Sequence, residues 1–192
     1  MGFRIHIILV MCALLSLSQT LSAQRLAVKT NLLYDAALSP NLGLEAAVAP
    51  RWTIDLSGNL NAWDFSDNRK WKHYLIQPEV RYWLCESFNG HFFGLHLHGG
   101  AFNFGNVDTV VNLFGDTSSE RHEGWYYGAG LSYGYQWLLS RRWNLELSLG
   151  VGYVGSDYDV YECAVCGDHL GRAHHDYFGI TKASVSLIFL IF

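Results

Sequence analysis

The feature that most constrains this chain is a strict period-two alternation between residues 125 and 137. One face of this segment carries only apolar or aromatic side chains, and the other carries glycine and polar residues. Such alternation predicts a β-strand with one face in an apolar environment. The segment is longer than the ~5–6 residues of a globular strand and meets the ~9–11 that cross a bilayer. Its apolar face consists of Trp125, Tyr127, Ala129, Leu131, Tyr133, Tyr135 and Trp137.

The same alternation recurs along most of the chain and predicts eight strands. An even number of strands suits a closed antiparallel ring, which leaves no unpaired edge in lipid. We therefore predict an all-β fold, an eight-stranded antiparallel transmembrane β-barrel of the small outer-membrane type. The predicted strands are 26–38, 41–49, 52–62, 73–82, 92–104, 125–137, 143–153 and 177–192.

Aromatic residues stand at both ends of the predicted apolar faces, with aliphatic residues between them. Ring side chains of membrane barrels collect at the two interfaces between lipid and water. The pattern therefore predicts aromatic girdles and outer-membrane lipid as a partner. The predicted girdle residues are Trp52, Tyr74, Tyr82, Trp125, Tyr127, Tyr135, Trp137, Trp143 and Tyr153.

The first 23 residues are typical of a secretory signal peptide. Arg4 precedes an apolar run over residues 5–17, and Leu-Ser-Ala at 21–23 offers a cleavage site of small residues. The run is shorter than the ~18 residues that a membrane helix requires. We predict export, loss of residues 1–23 together with Cys12, and one barrel domain over residues 24–192 in the cell outer membrane.

Composition narrows the classes of partner. Charged residues make up 16% of the chain, below the ~25% of soluble domains, and aromatic residues make up 15%. The net charge of −4 argues against nucleic acid as a partner, because phosphate binding needs clustered Lys and Arg.

Connection lengths predict which end of the barrel faces outward. The segments 50–51, 85–91 and 140–142 are short and are predicted to be periplasmic. The segments 64–70, 105–123 and 158–176 are longer and polar, and are predicted to lie outside the cell. The two-residue connection 39–40 is the exception to this trend.

The last strand leaves its lipid-facing side undecided. Counting back from Phe192 at alternate positions reaches Ser186, Ser184 and Lys182, which are poor choices for contact with lipid. Either the opposite set, Val185, Leu187, Phe189 and Ile191, faces lipid, or a β-bulge switches the face.

The opposite faces of the predicted strands collect ionisable residues into the barrel interior. An eight-stranded barrel is only wide enough for side chains to fill it, and buried charges must be paired. We interpret this set as a salt-bridged plug, with a narrow proton or ion path as the alternative. It consists of Lys29, Asp35, Glu45, Asp55, Glu79, Arg81, His96, His98 and Glu146.

Two groups of residues have the chemistry of metal ligands. His96 and His98 lie two apart on one strand face, and Glu45 or Glu79 could complete a two-His-one-carboxylate site; a hydrogen-bonded interior and a catalytic role are the other interpretations. The segment Cys163-Ala-Val-Cys166 has a zinc-like spacing and is followed by further histidines. In an external loop a disulfide between Cys163 and Cys166 is preferred, with metal or free thiols as alternatives, and Cys85 is predicted to be a lone thiol. The possible metal ligands there are Cys163, Cys166, His169, His174 and His175.

Four stretches resemble a known family. They are KTNLLYDAALSPNLGLE at 29–45, RWTIDLSGNLNAWDFSDNRKWKHYLIQPEVRYWLCESFNGHFFGLHLHGG at 51–100, EGWYYGAGLSYGYQW at 123–137 and CAVCG at 163–167. They are similar to the uncharacterised outer-membrane proteins grouped as domain of unknown function 3575. The resemblance implies a small barrel of Gram-negative anaerobes, in some cases encoded near surface-fimbria genes, and it implies no catalytic residue.

We therefore expect a non-enzymatic outer-membrane barrel without a cofactor, whose loops support the envelope or contact a surface or fimbria-related partner. A lipid A-modifying enzyme is one alternative, although the sequence contains no local Ser-His or Gly-x-Ser-x-Gly signature. A soluble lipocalin-like binder of a small ligand is the other. It would turn the aliphatic face inward and expose Gly128, Gly130 and Ser132.

Overall fold

The structure, a computed structural model, describes residues 25–63, 70–105, 120–162 and 167–191. Within these residues, eight β-strands and one short helix follow one another. Their bounds are β1 Leu26–Asn31, α1 Leu32–Ala36, β2 Asn41–Ala49, β3 Trp52–Asn61, β4 Lys70–Trp83, β5 Gly90–Gly105, β6 Arg121–Leu138, β7 Trp143–Tyr161 and β8 His169–Ile191. None of the helical structure described is long and apolar enough to cross a membrane.

The strands form a closed ring in which each strand pairs antiparallel with its neighbours in sequence order, and β1 pairs with β8. This confirms the predicted all-β fold with eight antiparallel strands. We call the end of the ring that holds the turns 50–51, 84–89 and 139–142 the lower end, and the end that holds α1 the upper end.

The strands are tilted around the ring. A register row follows directly paired residues from one strand to the next around the ring. The row that starts at Leu26 reaches β8 at Ile180, whereas the residue of β8 that pairs directly with Leu26 is Ile191, eleven residues further along the chain. A closed ring shows such an offset when its strands are inclined to the axis. Every member of this row is apolar and on the outer face: Leu26, Ala46, Ile54, Val80, Leu95, Leu131, Val151 and Ile180.

Side chains alternate between the two faces of the ring as the sequence predicts. Leu131 is 64% exposed, whereas its neighbour Ser132 is 3% exposed. The same holds for Leu147 and Ser148, at 52% and 3%. Large apolar residues therefore cover the outside of the ring, and polar residues fill its inside.

The upper ends of β7 and β8 extend further than predicted. Residues 158–161 continue β7 and residues 169–176 belong to β8, so the prediction of a loop over 158–176 was wrong for these positions. The strands continue because polar residues pair across them, for example Asp157 opposite His174. Apolar periodicity cannot detect such an extension.

The first strand ends earlier than predicted, at Asn31. The Asn31 side chain accepts a hydrogen bond from the Leu33 amide and so caps α1. The same side chain donates to the Ala183 carbonyl and accepts from the Val185 amide, which extends the contact with β8 beyond the ladder. The first upper connection therefore includes α1, and is longer than the predicted pair 39–40.

Asp35 lies in α1 and not in the interior, where the strand prediction placed it. It accepts hydrogen bonds from Thr30 and Asn41 at the exposed upper end. The prediction was wrong because the helical turn breaks the period-two alternation after Asn31.

Both alternatives predicted for the last strand are correct, each for a different part of β8. The outward set applies below Thr181, and a bulge switches the face at Thr181. Lys182, Ser184 and Ser186 are buried inside the ring, so the opposite set from Val185 to Ile191 faces outward. Above them the register shifts by one residue at Thr181. Beyond this bulge Ile180 and Phe178 lie on the outer face.

An apolar base closes the lower end of the ring. Trp83 packs against Phe92, with ring centroids 4.8 Å apart, and against Phe88 from the turn 84–89. Phe88 adopts a φ of +67°, a left-handed conformation that is uncommon for a bulky residue. Ile188 and Leu190 of β8 complete this base beside Phe88.

Candidate functional site

Seven charged side chains from six strands of the ring meet in its interior, directly above the apolar base. We call this group the ionic layer. Each member is at most 8% exposed, so each charge depends on its protein partners. The members are Lys29 of β1, Glu45 of β2, Asp55 of β3, Glu79 and Arg81 of β4, Glu146 of β7 and Lys182 of β8.

The carboxylates of the ionic layer are neighbours in the sheet. Glu45 lies opposite Asp55, and Asp55 lies opposite Glu79, so three acidic residues occupy one register row on adjacent strands. Like charges directly opposite one another destabilise a sheet. Cations must therefore stand among them for the ring to form.

Arg81 supplies the central cation. Its Nε donates to Glu79 at 2.8 Å, and its Nη1 donates to Glu45 at 2.9 Å and to Glu146 at 2.7 Å. Its Nη2 donates to Glu146 at 3.2 Å, which makes that pair bidentate, and lies 3.4 Å from Asp55. The guanidinium also lies 4.4 Å above the ring of Phe92 in the base.

Two lysines supply the other cations, from the strands that close the ring. Lys29 Nζ lies 3.2 Å from Glu45 and 2.9 Å from Asp55, and Lys182 Nζ contacts Glu79. The sequence analysis did not place Lys182 in the interior set, because the pattern left open which side of β8 faces outward. The signal that could have found it is the shared face of Lys182, Ser184 and Ser186.

Neutral side chains engage two further carboxylate oxygens. The Thr53 hydroxyl donates to Glu45 Oε1 at 2.5 Å and accepts from Trp83 Nε1 at 2.9 Å. The Ser132 hydroxyl donates to Glu79. The ionic layer is thus joined to the apolar base, and a cavity of about 40 Å³ beside it has room for only a few water molecules.

His96 and His98 lie above the ionic layer on the inner face of β5. Their ring centroids are 5.6 Å apart, and His96 Nε2 lies 3.0 Å from the Thr181 hydroxyl. The two carboxylates considered as a third metal ligand, Glu45 and Glu79, are engaged by the cations of the ionic layer. In the part of the chain that the structure describes, no three metal-type side chains form a group that could hold an ion.

The predicted histidines of the CxxC segment lie on β8, and they divide between its faces. His169 and His174 point outward, whereas His175, next to His174 in the strand, points inward. Cys163 and Cys166 lie outside the described residues, so their disulfide or metal state stays a prediction. Cys85 is an exposed free cysteine in the lower turn 84–89.

The outward histidines take part in a polar ladder on the upper outer face of β7 and β8. His174 Nδ1 lies 2.7 Å from Asp157, and its Nε2 lies 3.0 Å from Asp176. These hydrogen bonds to two carboxylates raise the pKa of His174 above its usual value of 6.5. Asp159 lies 3.0 Å from both His169 and Arg172, and the hydrogen bond from His169 is the main cause of its lowered pKa.

All nine predicted girdle residues lie on the outer face, where Tyr82 and Tyr135 are half-buried and the others are exposed. They form two rows. The lower row includes close pairs, such as Trp52 with Tyr82 at 5.0 Å and Tyr135 with Trp137 at 4.7 Å between ring centroids. The lower row is Trp52, Tyr82, Tyr135, Trp137 and Trp143, and the upper row is Tyr74, Trp125, Tyr127 and Tyr153.

Comparison with known proteins gives a family but no activity. A family model described as protein of unknown function (DUF3575) matches residues 8–191. No curated protein matches the chain.

Removal of the central cation should destabilise the folded ring. Arg81→Met leaves four buried carboxylates with only two lysines, and breaking a buried ion pair costs about 3–5 kcal/mol. We expect a loss of this size in urea unfolding of protein refolded in detergent, followed by tryptophan fluorescence. Adding Glu146→Gln should restore part of the loss, because it removes one of the unpaired charges.

The matched control is Arg51→Met in the exposed lower turn. It makes the same chemical change without touching the ionic layer, and should alter the free energy of unfolding by less than about 0.5 kcal/mol. Equal losses for the two arginines would contradict the central role of Arg81.

The polar ladder predicts that the stability of the upper end of the ring depends on pH. Because the folded state raises the pKa of His174, its stabilising contribution is fully present below about pH 6.5 and is lost as pH rises through the raised value. We expect the His174 imidazole resonance to titrate with a midpoint above 6.5. Asp157→Asn should lower that midpoint, and an unchanged midpoint in this variant would contradict the observed pairing.

Proposed function

We propose a function for this chain, which belongs to the DUF3575 family of unknown function. From the geometry of the ring we infer a closed β-barrel that spans the outer membrane of a Gram-negative cell as a non-enzymatic anchor. The lower part of its lumen is filled, and its upper end faces outward for contact with a surface partner or for envelope support. Export by the predicted signal peptide is part of the proposal.

The observation that carries this proposal is the reversed polarity of the ring. Leu147, Leu149 and Val151 of β7 are about half exposed on the outer face, while the charged residues of the ionic layer are buried inside. A water-soluble protein gains free energy by the opposite arrangement. Lipid as the outer solvent explains both faces at once.

The dimensions of the outer face support the same proposal. On β7 the apolar face runs from Trp143 to Tyr153, which matches the ~9–11 residues of a membrane-spanning strand. Among outward positions of the described strands between the two aromatic rows, none is Asp, Glu, Lys or Arg. Aromatic rows at both borders of such a band are typical of outer-membrane barrels.

The ionic layer favours an anchor over a channel. Arg81 and its four carboxylate partners occupy the bore, and the cavity beside them is small. The outward leucines also favour this proposal over a lipocalin-like ligand carrier, in which aliphatic residues line the interior. At the described upper end, both ring nitrogens of His174 are engaged by carboxylates, so this histidine offers no free base for a lipid-modifying reaction.

The upper part of the ring is suited to external contact. β7 and β8 continue above the upper aromatic row, and their outer face changes there from apolar to polar. Arg172 is 86% exposed within this polar ladder. We propose this surface, together with the adjoining loops, as the region that meets a partner or the envelope.

A closed barrel in a membrane should resist sodium dodecyl sulphate before boiling. Unfolding requires the ring to break, because β1 and β8 are paired. We expect the protein in the outer-membrane fraction, with an unboiled band that migrates faster than the boiled one. Recovery in the soluble periplasmic fraction, or a single mobility, would contradict the proposal.

A charge at the middle of the proposed lipid band should impair assembly. Leu147→Arg should cost about 2–4 kcal/mol there and reduce the fast-migrating fraction on folding into vesicles. The matched control is Leu139→Arg, because Leu139 is 59% exposed in a lower turn outside the band and the cost near an interface is about 0–1 kcal/mol. Equal folding yields of the two variants would contradict a lipid-facing Leu147.

A further inference from the structure

A second and larger cavity lies in the ring above the ionic layer. Its volume is about 190 Å³. Asn59 and Leu75 line both this cavity and the small one beside the ionic layer, so they mark the boundary between the two. Side chains of β4 to β8 and Tyr34 of α1 line the rest. The ionic layer therefore lies below this cavity. Among the described residues, the walls of the cavity itself carry no Asp, Glu, Lys or Arg.

Four polar atoms of residues that line this cavity lack hydrogen-bond partners within the described part of the chain. His98 is 7% exposed, and neither of its ring nitrogens has a hydrogen-bond partner there. The same holds for His73 Nδ1 and Asn59 Oδ1. Buried polar atoms are satisfied in the great majority of folded proteins, so their convergence on one cavity points to a ligand that donates and accepts hydrogen bonds.

The remaining walls are aromatic and aliphatic. Trp71 and Phe104 pack with ring centroids 5.0 Å apart, and Tyr126 stands beside His98 at 6.5 Å between centroids. Such faces favour offset or edge contacts with another planar ring. A protein cavity of about 150 Å³ accepts benzene, so the volume here suits one substituted ring.

The sheet is incompletely paired beside the cavity, along the edge of β8 that faces β1. Ile180 lines the cavity and is also 51% exposed on the outer face. On this side β1 pairs with β8 only as far as Ser186, and α1 with Tyr34 takes the place of further strand. At the level of Ile180, this edge of β8 is therefore not paired with another strand.

We propose that this cavity is a binding site for a small uncharged aromatic molecule of one ring that carries a hydroxyl group or a ring nitrogen. His98 and His73 hydrogen-bond the polar group, and Trp71 and Phe104 contact the ring. The site is additional to the proposed anchor function and requires only the closed ring, so its absence would leave that function untouched.

The test uses 4-methylphenol and toluene, which share a ring and a methyl group and differ by one hydroxyl. The mature chain, labelled with ¹³C at histidine Cε1 and refolded in detergent, is titrated with each compound and followed by NMR. We expect saturable shifts of the His98 and His73 resonances with 4-methylphenol. Toluene should bind at least about fivefold more weakly, because it leaves the imidazoles unsatisfied.

Three variants separate this site from uptake of the compounds by the micelle. His98→Leu should remove the preference for 4-methylphenol, whereas His91→Leu, at an exposed lower position, should retain it. Val154→Phe fills the cavity from a buried position and should abolish saturable binding while leaving the His98 side chain in place. The difference between unboiled and boiled mobility confirms that each variant has folded.

Two results would overturn the proposal. One is a set of small, non-saturable shifts of all histidines with both compounds, which is the behaviour of detergent partition. The other is unchanged selectivity in folded His98→Leu. In either case a normal mobility shift would show that the ring itself is intact.

Discussion

The rest of the structure depends on the pairing of Arg81 with the acidic register row. Glu45, Asp55 and Glu79 stand on three adjacent strands at one level, and Glu146 approaches from the opposite wall. Without cations, the repulsion and desolvation of these carboxylates would oppose the strand pairing that brings them together. A guanidinium suits this position because its donors point in several directions in one plane, so that one side chain contacts all four carboxylates.

The ionic layer also links the local order of the sheet to ring closure. Lys29 lies on the first strand and Lys182 on the last, yet both reach carboxylates of β2 to β4. All three cations are therefore among the carboxylates only when β1 and β8 have met. Closure in turn removes the inner face from bulk water, which strengthens each ion pair. In the proposed function, the aliphatic outer face is the face that contacts lipid.

The sequence predicts those strands whose faces differ in polarity, and it fails where that contrast ends. The outward-facing residues from Trp143 to Tyr153 can be predicted from the sequence because apolar and polar residues alternate strictly there. Above Tyr153, the outer face of β7 carries Gly155, Asp157 and Asp159 and is no longer apolar, so the extension of β7 and β8 does not follow from the same rule. The outward facing of Ile180 and Phe178 depends on the bulge at Thr181, and the role of Asn31 depends on a side chain that imitates a backbone amide. Such features come from tertiary contacts and have no periodic signature.

The uneven sizes of inward residues explain why the lower interior is filled and the upper interior is not. In the register row of the carboxylates, His96 is followed by Gly130, Gly152 and Gly179, so large side chains from β2 to β5 extend across towards a wall of glycines. A Cβ atom at Gly130 would collide with the His96 ring, which shows that this space is used. At the level of His98 the facing residue is again glycine, Gly128, but β1 has already ended and contributes no further side chain. The same pattern that packs the ionic layer thus leaves a cavity one layer higher, with imidazoles on its wall.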